Sequence, residues 1–505
     1  MKKYLLAHDL GTSGNKATLY TTEGQLVKKA VYNYNTNFFN STWAEQDPDM
    51  WWRAVAETTK AIVEAIDPKT IAAVSFSGQM QGCVCVDHKG LPLRPAIIWA
   101  DQRAEKETEE LIKQIGMERF YKITGHRPSP AYSIEKLMWV KNNEPDIYQR
   151  TYKMLLCKDY IIFKLTGCFA TDYSDASGTN ALDLRTMTWS EEIIKAAGLE
   201  IDKFPKLAAS TRIIGEVTME AAKETGLCAR TPIVMGGGDG ACAAIGAACI
   251  HEGDTYSCMG SSAWIAMTTS KPIYDEKMRT FNFAHIIPGL IMPCGTMQAA
   301  GASYSWLKRE LALHENIEAK DKGVSAYDLI NEKVRQSPAG ANGIIYLPYL
   351  LGERSPRWNV NARGAFIGLK MESKREDMFR SVAEGVIFNL NTILEAFREH
   401  VVIKEMLVIG GGAQSELWRQ MMADIYGIPI LKPNYLEEAT SMGAAITAGV
   451  GAGLFENFEA IHRFLKVENQ LEPITENREK YKTIYPVFES CYHALVNAYD
   501  ELAKL

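Results

Sequence analysis

The sequence predicts an α/β chain of two halves, each built around its own sheet, with a cleft between them. Three observations predict it. Short β-rich runs alternate with helical spacing through all 505 residues. Each half opens with a hairpin-like unit whose first turn is rich in Gly, Ser and Thr: Asp9-Leu10-Gly11-Thr12-Ser13 and Gly260-Ser261-Ser262. Strands also end repeatedly in glycine or polar residues, at 77–78, 236–238 and 410–412, which is where open α/β sheets hold ligands.

In the first half, 4–8, 16–20 and 25–34 read as strands, the last two joined by the turn Thr21-Thr22-Glu23-Gly24. Asp47-Pro48-Asp49 starts a helix over 51–66, with Val55, Ile62 and Ile66 at helical spacing. A buried strand follows at 71–76, then strands at 83–87 and 96–99 and helices at 105–115, 134–142 and 158–165. A strand at 233–235 leads to a small-residue helix at 241–249, and the break falls near residue 250. The expected domains are therefore 1–250 and 251–505. In the second, strands at 255–259 and 263–268 precede helices at 303–311, 326–336 and 375–399. A strand at 406–409, a helix at 416–426 and a strand at 428–431 follow, and a helix from Pro486 closes the chain.

Composition bounds the function. Hydrophobic residues make up 47% and charged residues 23%, which excludes a largely disordered chain. The net charge of −6 provides no basic field for nucleic acid or an anionic membrane. The longest apolar run, Ala241–Ile250, is broken by Gly246 and falls short of the roughly 18 residues of a membrane span. Tyr4–Ala7 is too short for a signal-peptide core. Ten cysteines without a CxxC pair read as reduced core residues of a cytoplasmic protein.

Four segments carry chemistry. The turn after Asp9 can cradle phosphate with backbone N–H groups, hydroxyls and Lys16, while Asp9 can hold a divalent cation. The alternative is an ordinary hairpin turn. Asp239 sits at a strand-to-helix junction after three glycines, as an N-cap or as a general base facing a cleft. An N-cap needs no preceding glycines, which favours the base. Gly410-Gly411-Gly412-Ala413 suits a flat ligand lying against the backbone, but it is not GxGxxG, and no Gly-Lys exists for a Walker loop. Finally, 77–82 and 99–103 end strands in amides and carboxylates, a pattern matched to a polyhydroxylated substrate. Within it, core packing is the simplest role for Trp99, and a solvated charge at a helix start the simplest for Arg103.

Together these segments resemble the FGGY family of carbohydrate kinases, in order and over essentially the whole chain. Trp43–Pro48 is similar to the family's W-x-E-x-D-P stretch. Leu347–Pro356 is similar to P-Y-L-x-G-E-R-x-P, Ala362–Leu369 to A-R-G-x-F-x-G-L, and Met442–Ala445 to a late G-A-A segment. The resemblance implies two ribonuclease-H-like domains of actin/Hsp70 type flanking an ATP and sugar cleft. It implies Asp239 as catalytic base, Asp9 as the residue associated with Mg2+, and Thr12, Ser13 and Lys16 as the first phosphate turn. It implies Gly260 and Ser261 as the second turn, Gly301, Gly411, Gly412 and Ala413 as nucleotide contacts, and Met80, Gln81 and Asp101, with Asp239, at the substrate.

Within the family the chain is most similar to xylulose kinases, through 43–48, 77–80 and 98–103. Two residues depart from them: Gln81 stands where His is usual, and Gly240 follows the base where Asn or Gln is frequent. Ala383 stands in the second signature where a larger apolar residue is usual. The expected activity is ATP-dependent phosphorylation of a sugar hydroxyl, on a ketopentose such as D-xylulose or on another ketose, polyol or aldonate. A sugar-responsive regulator or actin-like ATPase is the non-enzymatic alternative. The expected partners are the sugar and ATP, with a homodimer as the candidate assembly and neither nucleic acid nor membrane.

Overall fold

The computed structural model describes residues 3–505; Met1 and Lys2, the first two residues of the expected first domain, lie outside the described residues. Two seven-stranded sheets carry the molecule. In the first, Tyr4–Leu10, Gly14–Thr21 and Leu26–Asn33 form an antiparallel meander. Tyr4–Leu10 then pairs in parallel with Ile71–Gly78, which pairs in parallel with Pro232–Val234. In the second, Thr255–Met259, Ala263–Met267 and Ile291–Met297 repeat the meander. Thr255–Met259 pairs in parallel with Met406–Ile409, and that strand with Ile430–Pro433. The same five-strand plan therefore occurs twice, as the paired hairpin turns predict.

The parallel strand Ile71–Gly78 is buried along its whole length, so both of its faces need cover. Val74 and Phe76 pack with Trp51, Val55 and Ile62 of helix Pro48–Val63. That helix starts where the sequence signals: the Asp47 side chain accepts from the Asp49 amide, and Pro48 follows the cap. Ala72 and Ala73 on the other face pack with helices Asp239–Gly246 and Ala439–Gly451. These two helices cross in backbone contact. A Cβ on Gly246 would lie 1.9 Å from the Ala439 carbonyl oxygen, and one on Gly443 1.9 Å from that of Cys242. Helix Ala439–Gly451 comes late in the chain, yet it covers the first sheet at strands Tyr4–Leu10 and Ile71–Gly78.

Two helices differ from expectation. The small-residue helix begins at Asp239, two residues before Ala241, and stops at Gly246 because Ala248 turns to φ +56°. The last helix runs Thr475–Leu502 with Pro486 inside it, rather than starting there. Tyr481, Phe488, Tyr492 and Tyr499 form a buried stripe against Leu347 and Tyr349, and this packing on both sides of Pro486 outweighs the one backbone hydrogen bond that proline removes. Among the described residues no helix is long and apolar enough to cross a membrane. The cysteines are free, and Cys83 and Cys85 lie side by side at 3.9 Å between sulfurs.

Candidate active site

Register places the first group of site residues. Asp9 stands opposite Ser77, and Gly237 and Gly238 stand opposite Ser77 and Gly78, so three adjacent strand ends converge on one point. Gly236 makes the approach at φ +69°, where a Cβ would meet the Phe76 carbonyl oxygen at 2.0 Å. Only glycine fits there. Gly238 caps the next helix, and Asp239 is its first residue. Asp239 is no N-cap, then; its own carboxylate accepts from the Gly240 amide at 2.7 Å. It is half-buried, with protein packed closely around its carboxyl. That enclosure, aided by the negative charge of Asp9, pushes its pKa up to about 7. Asp9 in turn accepts from Ser77 at 3.2 Å and from Thr440 at 2.5 Å.

A buried network stands behind the glycine run. The Ser174 hydroxyl accepts from the Gly238 amide at 3.0 Å and donates to Asp172 at 2.5 Å. Asp172 also pairs with Lys158 at 2.9 Å, and Lys158 meets Asp159 and Asp175 at 2.7 and 3.0 Å. Burial opposes the Lys158 charge, yet three carboxylates outweigh it and hold its pKa well above the usual value. Burial pushes the Asp175 carboxyl well up.

The predicted phosphate turns lie one in each half of the chain. Ser13 and Thr12 sit on the first turn, where Trp99 Nε1 donates to Thr12 Oγ1 at 2.8 Å and Gln46 to the Thr12 carbonyl at 2.6 Å. Trp99 is thus a partly open bracing residue rather than core packing. The Lys16 ammonium donates across to the Glu437 carbonyl. On the second turn, Gly260 and Ser261 are exposed, and Gly301 and Ala302 donate their amides to the carbonyls of Gly260 and Ser261, each at 3.0 Å. A cavity of about 660 Å³ opens beside them, lined by Gly260, Ser261, Gly301, Gly411 and Gly412 among others. That volume suits a nucleotide-sized ligand. Ala413 lies beneath this surface, fully buried.

The rest of this lining escaped sequence reading. Tyr304, Ser325, Tyr327, Asp328, Asn331 and Trp418 also face the cavity. Tyr304 stacks on Tyr327 and meets Trp418 edge-on, and its hydroxyl donates to Asn331. Their helices were legible as spans, but nothing in the spacing says which face meets a ligand.

The predicted substrate residues divide. Met80 packs against Gly238, within 2.6 Å of where a Cβ would be. Gln81 adopts φ +65°, and its carbonyl accepts from the buried Lys136 at 2.8 Å. Burial pulls the Lys136 pKa down to about 7. Asp101 is fully buried behind them, its oxygens accepting from the Ala44 amide at 2.6 Å and from Arg103 at 2.7–3.0 Å. It braces the wall rather than lining it. Arg103 is correspondingly no solvated charge: it pairs with Asp101 and Glu45 and lies 3.9 Å from the Trp43 ring centroid.

Comparison with known proteins decides the family. Models of the FGGY carbohydrate kinase N-terminal and C-terminal domains match residues 4–246 and 255–452. The chain belongs to the FGGY family of carbohydrate kinases. It is 32% identical to a xylulose kinase of Staphylococcus xylosus over 491 residues, covering 97% of this chain and 99% of that one. It is also 32% identical to a gluconokinase of Bacillus subtilis over 509 residues, covering 100% and 98%. The crystal structure of a ligand-bound xylulose kinase from Lactobacillus acidophilus superposes with a TM-score of 0.93 at 28% identity, covering 99% of this chain and 100% of that one. The twice-repeated sheet is accordingly the ribonuclease-H-like fold of the actin/Hsp70 type. This FGGY chain is a sugar kinase, and family membership carries ATP as its phosphoryl donor.

Proposed function

We propose that this kinase transfers the γ-phosphoryl group of ATP to a hydroxyl of an open-chain polyhydroxylated acceptor, with Asp239 as general base. The observation that carries it is the position of Asp239. It follows a closely packed glycine run, begins a helix beside Asp9, is only half-buried, and has a pKa of about 7, which suits a base at physiological pH. The carboxylate would take the hydroxyl proton as that oxygen bonds to the γ-phosphorus and the bond to the β-bridging oxygen breaks. The transition state is loose and its charge is spread over phosphoryl oxygens, so positioned N–H and O–H donors provide most of the acceleration. Thr12 and Ser13 on one side and Gly260 and Ser261 on the other would provide them. The division of labour follows the two sheets: residues up to about 250 hold the acceptor and the first turn, and residues from 251 hold the nucleotide.

The residues present fit Mg2+. Asp9 offers a carboxylate flanked by two hydroxyls, an all-oxygen surround. Among the described residues no cluster of three His, Cys, Asp or Glu side chains forms a metal site, so the ion would complete its shell from phosphate and water. When bound it would neutralise phosphate charge. Asp9 would orient it and keep it apart from Asp239.

Steady-state ADP release with ketoses, polyols and aldonates tests the reading. Asp239→Asn is expected to lower kcat by roughly 10²–10⁴-fold while ATP binding, measured by calorimetry, stays intact. A variant with wild-type turnover removes Asp239 from the reaction. Asp9→Ala is expected to raise the Mg2+ concentration needed for half-maximal rate and leave acceptor KM in place; the reverse pattern would move Asp9 to the acceptor side.

A further inference from the structure

Between Gln79 and Cys83 the chain leaves the sheet. The Gln79 amide still donates to the Leu10 carbonyl at 2.8 Å, and the Cys83 amide to the Ile97 carbonyl at 2.9 Å. Met80, Gln81 and Gly82 lie between these two points and belong to neither flanking strand, Ile71–Gly78 or Val84–Val86. Among the described residues a single hydrogen bond holds their backbone: the Lys136 ammonium donates to the Gln81 carbonyl at 2.8 Å.

This three-residue segment lies against the glycines that precede Asp239. Gly78 pairs with Gly238, and a Cβ on Gly238 would lie 2.6 Å from the Met80 sulfur. Gln81 follows at φ +65°, a backbone conformation that residues other than glycine rarely adopt. Such a conformation persists where its surroundings hold it. The Gln81 side-chain amide has no hydrogen-bond partner among the described residues, although the residue is only 8% exposed. An amide in that state is matched to a hydroxyl, which both donates and accepts.

Lys136 is an uncommon choice for its position. It sits in helix Ser133–Asn143, fully buried. Its other hydrogen bond goes to the Ala131 carbonyl, so both of its partners are neutral. The neighbouring carboxylates are engaged elsewhere: Glu135 accepts from the Ser129 amide and Asn180, and Asp101 pairs with Arg103. Lys158, equally buried, instead meets three carboxylates. An ammonium without a carboxylate is costly to bury, and an apolar side chain would fill the same space at lower cost. What an apolar side chain cannot supply is a donor for the Gln81 carbonyl.

We propose that Lys136 is a positioning residue of the acceptor site: through the Gln81 carbonyl it fixes segment 80–82, and with it the Gln81 side-chain amide, against the glycine run before Asp239. This rests on the reading above in which Asp239 is the base. Lys136 acts through the backbone of one segment of the first half, so its loss falls on the acceptor and spares the nucleotide.

The test is a double-mutant cycle read by ADP release. D-xylulose, D-ribulose and D-gluconate are assayed, and the acceptor turned over fastest is carried through. Lys136→Met is expected to lower kcat/KM for that acceptor about 10–100-fold, mainly in KM, as for loss of a charged hydrogen bond. KM for ATP should stay within about threefold. In a Gln81→Gly background the left-handed backbone needs no tether and no side chain remains to be placed. There the same substitution should cost less than about threefold further. Lys136→Gln, which retains a donor, is expected to recover part of the loss. Equal costs in the two backgrounds mean that Lys136 does not act through Gln81, and overturn the proposal. So does an equal rise in KM for acceptor and ATP, or a lowered Tm with unchanged acceptor kinetics. Failure of both Lys136→Met and Lys136→Gln to fold would likewise make Lys136 a structural residue and overturn it. Each of these outcomes leaves the kinase reading standing; no phosphorylation of any acceptor by the wild type sinks both.

Discussion

Asp239 couples the chemistry of the site to pH. Its carboxyl titrates near 7 in the folded protein, against about 3.8 for a free aspartate. A base must be ionised to work, so kcat/KM for the acceptor is expected to rise with pH and level off above about 7. The negative charge of Asp9 contributes to that elevation, so Asp9→Asn should move the midpoint to lower pH. An unmoved midpoint would mean that Asp9 does not act on Asp239. Linkage gives a second consequence. A raised carboxyl pKa means the folded state binds the proton more tightly, so Asp239 lowers stability progressively as pH rises from about 4 to 7. Asp239→Asn should therefore melt above wild type at pH 8, with the gap closing by pH 4, as calorimetry can measure. The strand-end positions of Asp239, Asp9 and the two turns were legible because glycine next to a strand end is a local signal. Trp99 and Arg103 were misread because the contacts that enclose them come from far along the chain: Thr12 lies 87 residues from Trp99, and beyond the nearby Asp101 the Arg103 guanidinium meets Glu45 and the Trp43 ring.

At the scale of elements, the short helix Tyr173–Ser177 deserves a test of its own, since Ser174 holds the Gly238 amide and Ser177 accepts from the Ala284 amide of the other half. Ser174→Ala leaves that Gly238 amide unpaired in a buried place, which costs about 1–3 kcal/mol locally. It is expected to lower kcat with little change in KM for ATP; unchanged kcat would separate the network from the base. The last helix offers a stability test. Pro486→Ala restores a backbone donor within Thr475–Leu502, a gain of about 3 kcal/mol in helix preference, partly offset by the freer unfolded chain. Urea unfolding should show a net gain of about 2 kcal/mol, and a loss would mean that packing at Tyr481 and Phe488 depends on the proline bend. Strands and helices were readable in the sequence because their periodicity is local. The faces of Tyr304, Asn331 and Trp418 were not, because ligand-facing and core-facing residues on a helix follow the same spacing.

At the scale of the whole molecule, the two sheets meet through the glycine crossing of helices Asp239–Gly246 and Ala439–Gly451. Gly443→Ala would force a methyl into the Cys242 carbonyl. It should cost about 1–3 kcal/mol by overpacking and depress activity, because one helix begins at Asp239 and the other holds Thr440, which bonds Asp9. A variant with wild-type stability and rate would mean that the crossing adjusts freely. The twofold sheet plan was legible from the paired turns, but the exchange of a helix between halves was not, since a run of Ala and Gly such as Ala444-Ala445 looks the same against either sheet.

That exchange has a consequence for how the protein is made. Synthesis runs from the amino end, and strand Ile71–Gly78 leaves the ribosome long before helix Ala439–Gly451 exists to cover it. At ~5–20 residues per second the interval is on the order of tens of seconds. Until then the alanine-lined face of the first sheet has at most helix Asp239–Gly246, itself made well after the strand, for shelter. A chain stalled anywhere before residue 439 would lack the helix that covers this face.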